Sequence, residues 1–255
     1  MSPVAYARQA GRVLGSLLIL LAAGCARQPR RHELSIAAAA DLNFAMENLA
    51  RQFEARHPDI GLRVTYGSSG NFYSQIRNGA PFDLFLSADM QYVEKVAPPA
   101  RVFAYARGRL AVWVPADSRL DPASALCDPS VRHIAIANPR HAPYGRAAVA
   151  ALRSMGIYDA VAPKLVMGEN VAQTLEFVQS GAAEAGIVAL ALALARGPDG
   201  AARARGRYWE IPLEDYPALE QGGAIVKDSP PAQAFRTFLL GPRGRAILQQ
   251  YGFTD

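Results

Sequence analysis

Four times along the 255-residue chain, an apolar run of strand length ends in a turn of small residues and a helix pattern follows at once. The four junctions are Ala39-Ala40-Asp41-Leu42-Asn43, Gly67-Ser68-Ser69-Gly70-Asn71, the stretch NPRHAPYG over 138–145, and Gly168-Glu169-Asn170-Val171. A helix start carries backbone N–H groups without intrahelical partners, at the positive end of the helix dipole. Such a turn is a cradle for an anion. Strands alternating with helices dictate an α/β fold with parallel or mixed sheets flanked by helices. In open sheets of that kind, ligands bind beyond the carboxyl ends of the strands, where all four turns fall.

The first strand is read over 34–40, a continuous apolar run with one serine, as in a strand buried on both faces. Asp41 is the expected N-cap of a helix over 42–56. That helix places Ala45, Leu49 and Phe53 on one face. Strands follow over 62–66 and 83–87, with helices over 72–78, stopped by Gly79, and 90–96. The run RLAVWVP at 109–115 is read as a crossing into a second lobe, where the pattern restarts. Strands are expected there over 133–137, 165–167, 185–190 and 208–212, and helices over 145–155 and 171–180. A strand over 223–226 returns to the first lobe, and helices over 232–250 close it. The expected division is therefore 33–108 with 223–255 in lobe one and 109–222 in lobe two. Two crossings make a hinge, and a small ligand would be held in the cleft by domain closure.

The amino terminus reads as a targeting segment. Arg8 and Arg12 precede a short apolar core, too short to span a bilayer, and LAAGC over 21–25 reads as a lipobox. This predicts a signal peptide over 1–24, lipidation of Cys25 and a tether over 25–32. Ordinary cleavage nearby, giving a free periplasmic protein, is the alternative. Either way the chain is exported. With Cys25 acylated, Cys127 has no partner for a disulfide and is expected to be a partly buried, unreactive thiol.

The formal net charge of +5 invites a nucleic-acid reading, but its distribution removes it. Residues 1–32 hold five basic residues and no acids, which leaves 22 of each sign in the remainder. A neutral folded part offers no basic face to a nucleic acid.

The strongest binding element is YGSSGN over 66–71. Its glycines let backbone approach a ligand, Ser68 and Ser69 add hydroxyls, and Asn71 can cap or donate. Tyr144 offers a hydroxyl at the third junction. At the fourth, the useful group is the Val171 backbone N–H beside Asn170. Enzymatic readings fare poorly. The four histidines show no paired metal spacing, and no GxSxG, GxxxxGK or GxGxxG motif occurs. No cofactor and no direct metal-ion site are expected. A serine hydrolase built on Ser69 is the enzymatic alternative, with no histidine or lysine nearby in sequence.

These junctions, in this order, resemble the molybdate-binding proteins of bacterial molybdate ABC importers. The likeness is carried by AAAADLNFAM (37–46), YGSSGNFYSQIRNGAPFDLFLSAD (66–89), ANPRHAPYGRAAV (137–149), GENVAQTLEFVQSG (168–181) and YGFTD (251–255). The resemblance implies a two-lobed, hinge-closing periplasmic-binding-protein fold of type II. It implies a protein that holds tetrahedral molybdate or tungstate by neutral hydrogen bonds and passes it to a membrane permease; the chain is expected to be a monomer. Carried over by position, Ser69, Tyr144 and the Val171 N–H match the family's donors, with Ser68, Asn43, Asn71 and Asn170 as further candidates. Two positions depart. Asp41 stands where the family often has serine or threonine, and Ala189 where some members have tyrosine.

Asp41 decides the ligand. An ionised carboxylate cannot donate, and about 4 Å from a dianion it costs several kcal/mol at an effective dielectric near 20. Either Asp41 curls back as an N-cap, leaving backbone N–H groups with Asn43 or Asn71 to hold the ligand. Or it accepts a hydrogen bond from a protonated anion such as hydrogen phosphate. The same scaffold binding sulfate is a further alternative.

Overall fold

The computed structural model describes residues 32–197 and 200–255. The signal peptide, Cys25 and most of the expected tether lie outside these residues. His32, expected in the tether, instead opens the first strand.

Among the described residues, ten strands form two five-stranded sheets. The first contains β1 (His32–Ala39), β2 (Ile60–Gly67), β3 (Leu84–Ser87), β4 (Val102–Gly108) and β10 (Leu219–Ile225), in the order β2-β1-β3-β10-β4. The second contains β5 (Leu110–Pro115), β6 (Ile134–Ala137), β7 (Leu165–Gly168), β8 (Ala185–Ala189) and β9 (Gly206–Glu210), in the order β7-β6-β8-β5-β9. Each sheet has three parallel strands, then one strand antiparallel to them. In both sheets that antiparallel strand follows a crossing from the other sheet.

The first crossing is short. β4 ends at Gly108 and β5 starts at Leu110, so Arg109 alone joins the sheets. The strand over 102–108 was not expected from sequence, because alternation in VFAYARG is broken by adjacent buried Tyr105 and Ala106. The return runs between β9 and β10, and the chain is back in the first sheet at Leu219, earlier than the expected 223. The two crossings touch. Arg109 pairs with Glu210, the Leu110 N–H donates to the Tyr216 hydroxyl at 3.1 Å, and the Ile211 N–H donates to the Leu110 carbonyl at 3.1 Å.

Apolar spacing explains the packing. The helix Asn43–Glu54 buries Ala45, Met46, Leu49 and Phe53, one face of a 3.6-residue period. Phe53 meets Phe235 edge-on at 5.1 Å between ring centroids. It thereby joins this helix to the closing helix Pro230–Leu240. β1 is buried over its last six residues because strands pair on both its edges and helices cover its faces. Cys127 is exposed, contrary to expectation. The 3-10 turn Ala125–Cys127 turns Ala125 and Leu126 inward and leaves the thiol outside.

Candidate functional site: a cavity between the two sheets

The four junctions meet. One small buried cavity is lined by Ala39, Ala40 and Asp41 from the first turn, Gly67, Ser68 and Ser69 from the second, Ala142, Pro143 and Tyr144 from the third, and Asn170 and Val171 from the fourth. Ala88, just after β3, completes it. Its free volume is about 10 Å³, room for about one water molecule.

Local sequence builds each wall. At the second junction, the helix Ser69–Arg77 starts straight from β2. Ser68 occupies the cap position but makes no capping bond. Its Oγ instead shares a hydrogen bond with His141 Nδ1 at 2.8 Å. Ser69 Oγ accepts from the Ala88 N–H at 2.9 Å. With its acceptor side so engaged, the Ser69 hydroxyl hydrogen remains to donate into the cavity. At the fourth junction, Asn170 caps the helix Val171–Gln179 by accepting from the Ala172 and Gln173 N–H groups, at 3.0 and 3.1 Å. Val171, the first helical residue, is left with its N–H uncapped. At the third, Pro143 opens the helix Pro143–Ser154 at a position where no N–H is needed. The helix thus starts two residues before the expected 145 and holds Tyr144 in its first turn.

Asp41 is not an N-cap. The 3-10 turn Ala40–Leu42 has Ala39 at its cap position, and neither that turn nor the following helix receives a side-chain capping bond. The carboxylate turns into the protein, where 1% of the residue is exposed. Its Oδ2 accepts from the Tyr144 hydroxyl at 3.0 Å and from Gln221 Nε2. Its Oδ1 has no hydrogen-bond partner. Burial pushes the Asp41 carboxyl up to about 6, against the lowering effect of the Gln221 and Tyr144 bonds and of the nearby Asp41 and Leu42 backbone N–H groups. Burial, with the charge on Asp41, likewise holds Tyr144 and Tyr105 well above the ordinary phenol value.

The other candidates divide. Asn43 begins the helix Asn43–Glu54 and does not line the cavity. Asn71 does not line it either, because its Nδ2 donates across the lobes to Glu169. Ala189 ends β8 and is fully buried.

Sequence reasoning missed Gln221, Tyr105 and His141. Gln221 is completely buried in β10, at a register shift beside Gly222. Its Oε1 accepts from the Tyr105 hydroxyl at 2.7 Å, which turns its amide NH₂ towards Asp41. A glutamine before two glycines in an otherwise apolar strand was the available signal. Gly108 makes room for this group: a Cβ there would lie 2.2 Å from the Tyr144 hydroxyl.

The walls are tied across the lobes. Besides the Tyr144–Asp41 bond, the Gly70 N–H donates to the His141 carbonyl at 2.9 Å, and Arg146 pairs with Asp89. Among the described residues, no three His, Cys, Asp or Glu side chains group as metal ligands.

Two mixed sheets, two adjoining crossings and a small cavity at the facing strand ends define a two-lobed solute-binding protein with the type II periplasmic-binding fold. Residues 34–254 match the family of bacterial extracellular solute-binding proteins, and the chain belongs to that family. The molybdate-binding protein ModA of Azotobacter vinelandii is 37% identical over 254 residues, covering 94% of this chain and 97% of its own. ModA of Rhodobacter capsulatus is 33% identical over 249 residues, covering 94% and 95%. The solved periplasmic molybdate-binding protein of Azotobacter vinelandii superposes with a TM-score of 0.80 at 33% identity, over 87% of this chain and 99% of that one.

Proposed function

We propose that this chain captures molybdate or tungstate between its lobes and delivers it to the permease of an ABC importer. The observation that carries this reading is the convergence of four helix-start turns, two from each lobe, on one buried cavity. The relatives named for molybdate binding point to the same cargo.

The ligand-binding residues in this reading are Ser69, through hydroxyl and backbone, the Val171 N–H, Tyr144 and Asp41. Ser68 and Asn170 shape the wall. A tetrahedral anion needs more than about 10 Å³, so capture starts from lobes standing further apart. Rotation at Arg109 and across 211–218 supplies the opening. The anion then bridges both lobes, and the closed form is preferred because only there do both lobes supply donors.

The protein binds and releases without chemical turnover. Ser69 has no base on its hydroxyl, and the imidazole of His141 bonds Ser68 instead. The chain acts as a monomer in the periplasm, held to the membrane by a lipid on Cys25. Among the described residues, no helix is long and apolar enough to cross a membrane.

One observation favours a second cargo. Two unit charges 4 Å apart cost about 4 kcal/mol at an effective dielectric of 20, so a dianion beside ionised Asp41 costs about 8. An anion bearing its own proton, such as hydrogen phosphate, would instead donate to Asp41. Calorimetry against molybdate, tungstate, sulfate and phosphate separates the two. Saturable 1:1 binding of molybdate and tungstate is expected, weakened about ten- to a hundredfold in Ser69→Ala by loss of a hydrogen bond to a charged group. Phosphate binding with molybdate inert overturns the molybdate reading.

A further inference from the structure

Ionised Asp41 leaves the cavity short of donors. Tyr144 has one hydroxyl hydrogen and directs it onto Asp41 Oδ2. Gln221 Nε2 donates to the same atom and also lies within reach of the Tyr144 hydroxyl oxygen, with Tyr105 locking the amide from behind. Asp41 Oδ1 remains buried and without a hydrogen-bond partner, an acceptor on a residue that lines a cavity meant for a guest with only acceptors. One proton reverses each of these. Placed on Oδ1, it creates an O–H donor. It also removes the charge that holds the Tyr144 hydroxyl, which can then turn to the anion while accepting from Gln221 Nε2, 3.3 Å away.

We infer that the site takes up its oxyanion together with one proton, held on Asp41, and that Gln221 is the residue that positions this carboxyl group. The inference rests on the oxyanion-capture reading above. The balance is simple. The Asp41 carboxylate gains a proton from solvent, one O–H bond forms, and the resulting acid donates to an oxygen of the dianion. Nothing leaves.

No other group competes for this role. The ionisable groups facing Asp41 are Tyr144 on the helix Pro143–Ser154 and Tyr105 on β4, and neither phenol releases a proton near neutrality. Among the described residues, no lysine, arginine or histidine charge stands among the causes of the Asp41 shift. His141 and Glu169 engage Ser68 and Asn71 at the rim. Burial already favours the neutral acid, and a dianion beside it acts in the same direction.

The test is calorimetry of molybdate binding at pH 8 in two buffers with different heats of ionisation. About one proton taken up per anion is expected, with affinity falling about tenfold per pH unit above pH 7. Asp41→Asn should bind without proton uptake and without that pH dependence. Gln221→Met removes a bond that lowers the Asp41 value, so the fall in affinity should begin at higher pH. A purely structural role for Gln221 would leave that onset unmoved. Saturable molybdate binding by the parent protein with no proton uptake overturns the inference and leaves the capture reading intact. That result needs no variant to fold. Hydrogen phosphate binding without uptake places the proton on the guest and also overturns it. Failure of molybdate, tungstate and sulfate alike to bind defeats the capture reading, and the inference with it.

Discussion

Tyr144 of the second lobe donates its hydroxyl hydrogen to Asp41 of the first across 3.0 Å. The contact closes the lobes over a carboxyl group buried at the place where an anion would be received. A charge in that position is costly to the fold and to the ligand alike, and the two costs can be measured separately.

The cost to the fold depends on pH. The Asp41 value rises from 3.8 to about 6 because burial outweighs its hydrogen bonds. A group with a raised folded-state value contributes stability that is fully present below the unfolded value. That contribution is lost as pH climbs through the folded one. Here the loss runs from about pH 4 to above pH 6 and amounts to about 3 kcal/mol. Asp41→Asn keeps an acceptor for Tyr144 and Gln221 but carries no charge. It should exceed the parent in stability at pH 8 by on the order of 2 kcal/mol and match it near pH 4. Urea denaturation at both pH values checks this, and equal stabilities at pH 8 would contradict it.

Gln221→Leu should behave in the opposite way. It removes a donor to Asp41 and leaves the Tyr105 hydroxyl only the longer bond to the Ser87 carbonyl, at 3.3 Å. A loss of about 1–3 kcal/mol is expected for buried groups left unpaired. The loss should be larger at pH 8 than at pH 5, since only the ionised carboxylate needs the Gln221 donor. Denaturation curves of equal displacement at the two pH values would count against this account.

Closure can be blocked from one atom. A Cβ on Gly70 would lie 2.6 Å from the His141 carbonyl oxygen and 2.9 Å from its Cα, both backbone atoms of the opposite lobe. They cannot move aside as a side-chain tip would, so the lobes must part. Gly70→Ala should enlarge the radius of gyration by small-angle scattering in saturating molybdate and weaken binding at least about tenfold, an estimate that treats the lost Gly70–His141 bond and its neighbours as about 1.4 kcal/mol or more. Affinity within a factor of about two of the parent would show that the clash is relieved some other way.

The neighbourhood of Ser68 looks like a hydrolase only in outline. His141 Nδ1 stands 2.8 Å from its Oγ, and His141 Nε2 stands 3.6 Å from Glu169. Ser68 is buried and reaches this imidazole from the opposite lobe, so opening the cleft takes the pair apart. A fluorophosphonate probe should label neither Ser68 nor Ser69. Stoichiometric labelling of either, lost in the matching alanine variant, would establish an enzymatic activity.

Much of this was legible along the chain. The first helix showed its buried face through Ala45, Leu49 and Phe53, and Gly79, with φ of 85°, stopped the second helix as glycine does. Other features were hidden. β4 lacked clean alternation, so the single-residue crossing at Arg109 was folded into a longer extended run. Asp41 looked like a cap because aspartate before a helix usually is one, and its real partners lie far along the chain.

Taken alone, the sequence determined the four turns and their place after apolar strands, because a helix start is built from contiguous residues and their own backbone N–H groups. It also determined that the lobes alternate strands with helices. The tertiary structure alone decided what Asp41 does. Its side-chain hydrogen-bond partners stand 103 and 180 residues away, and its loss of solvent comes from two sheets closing over it. Burial and long-range pairing are properties of the packed molecule, so no window of sequence contains them.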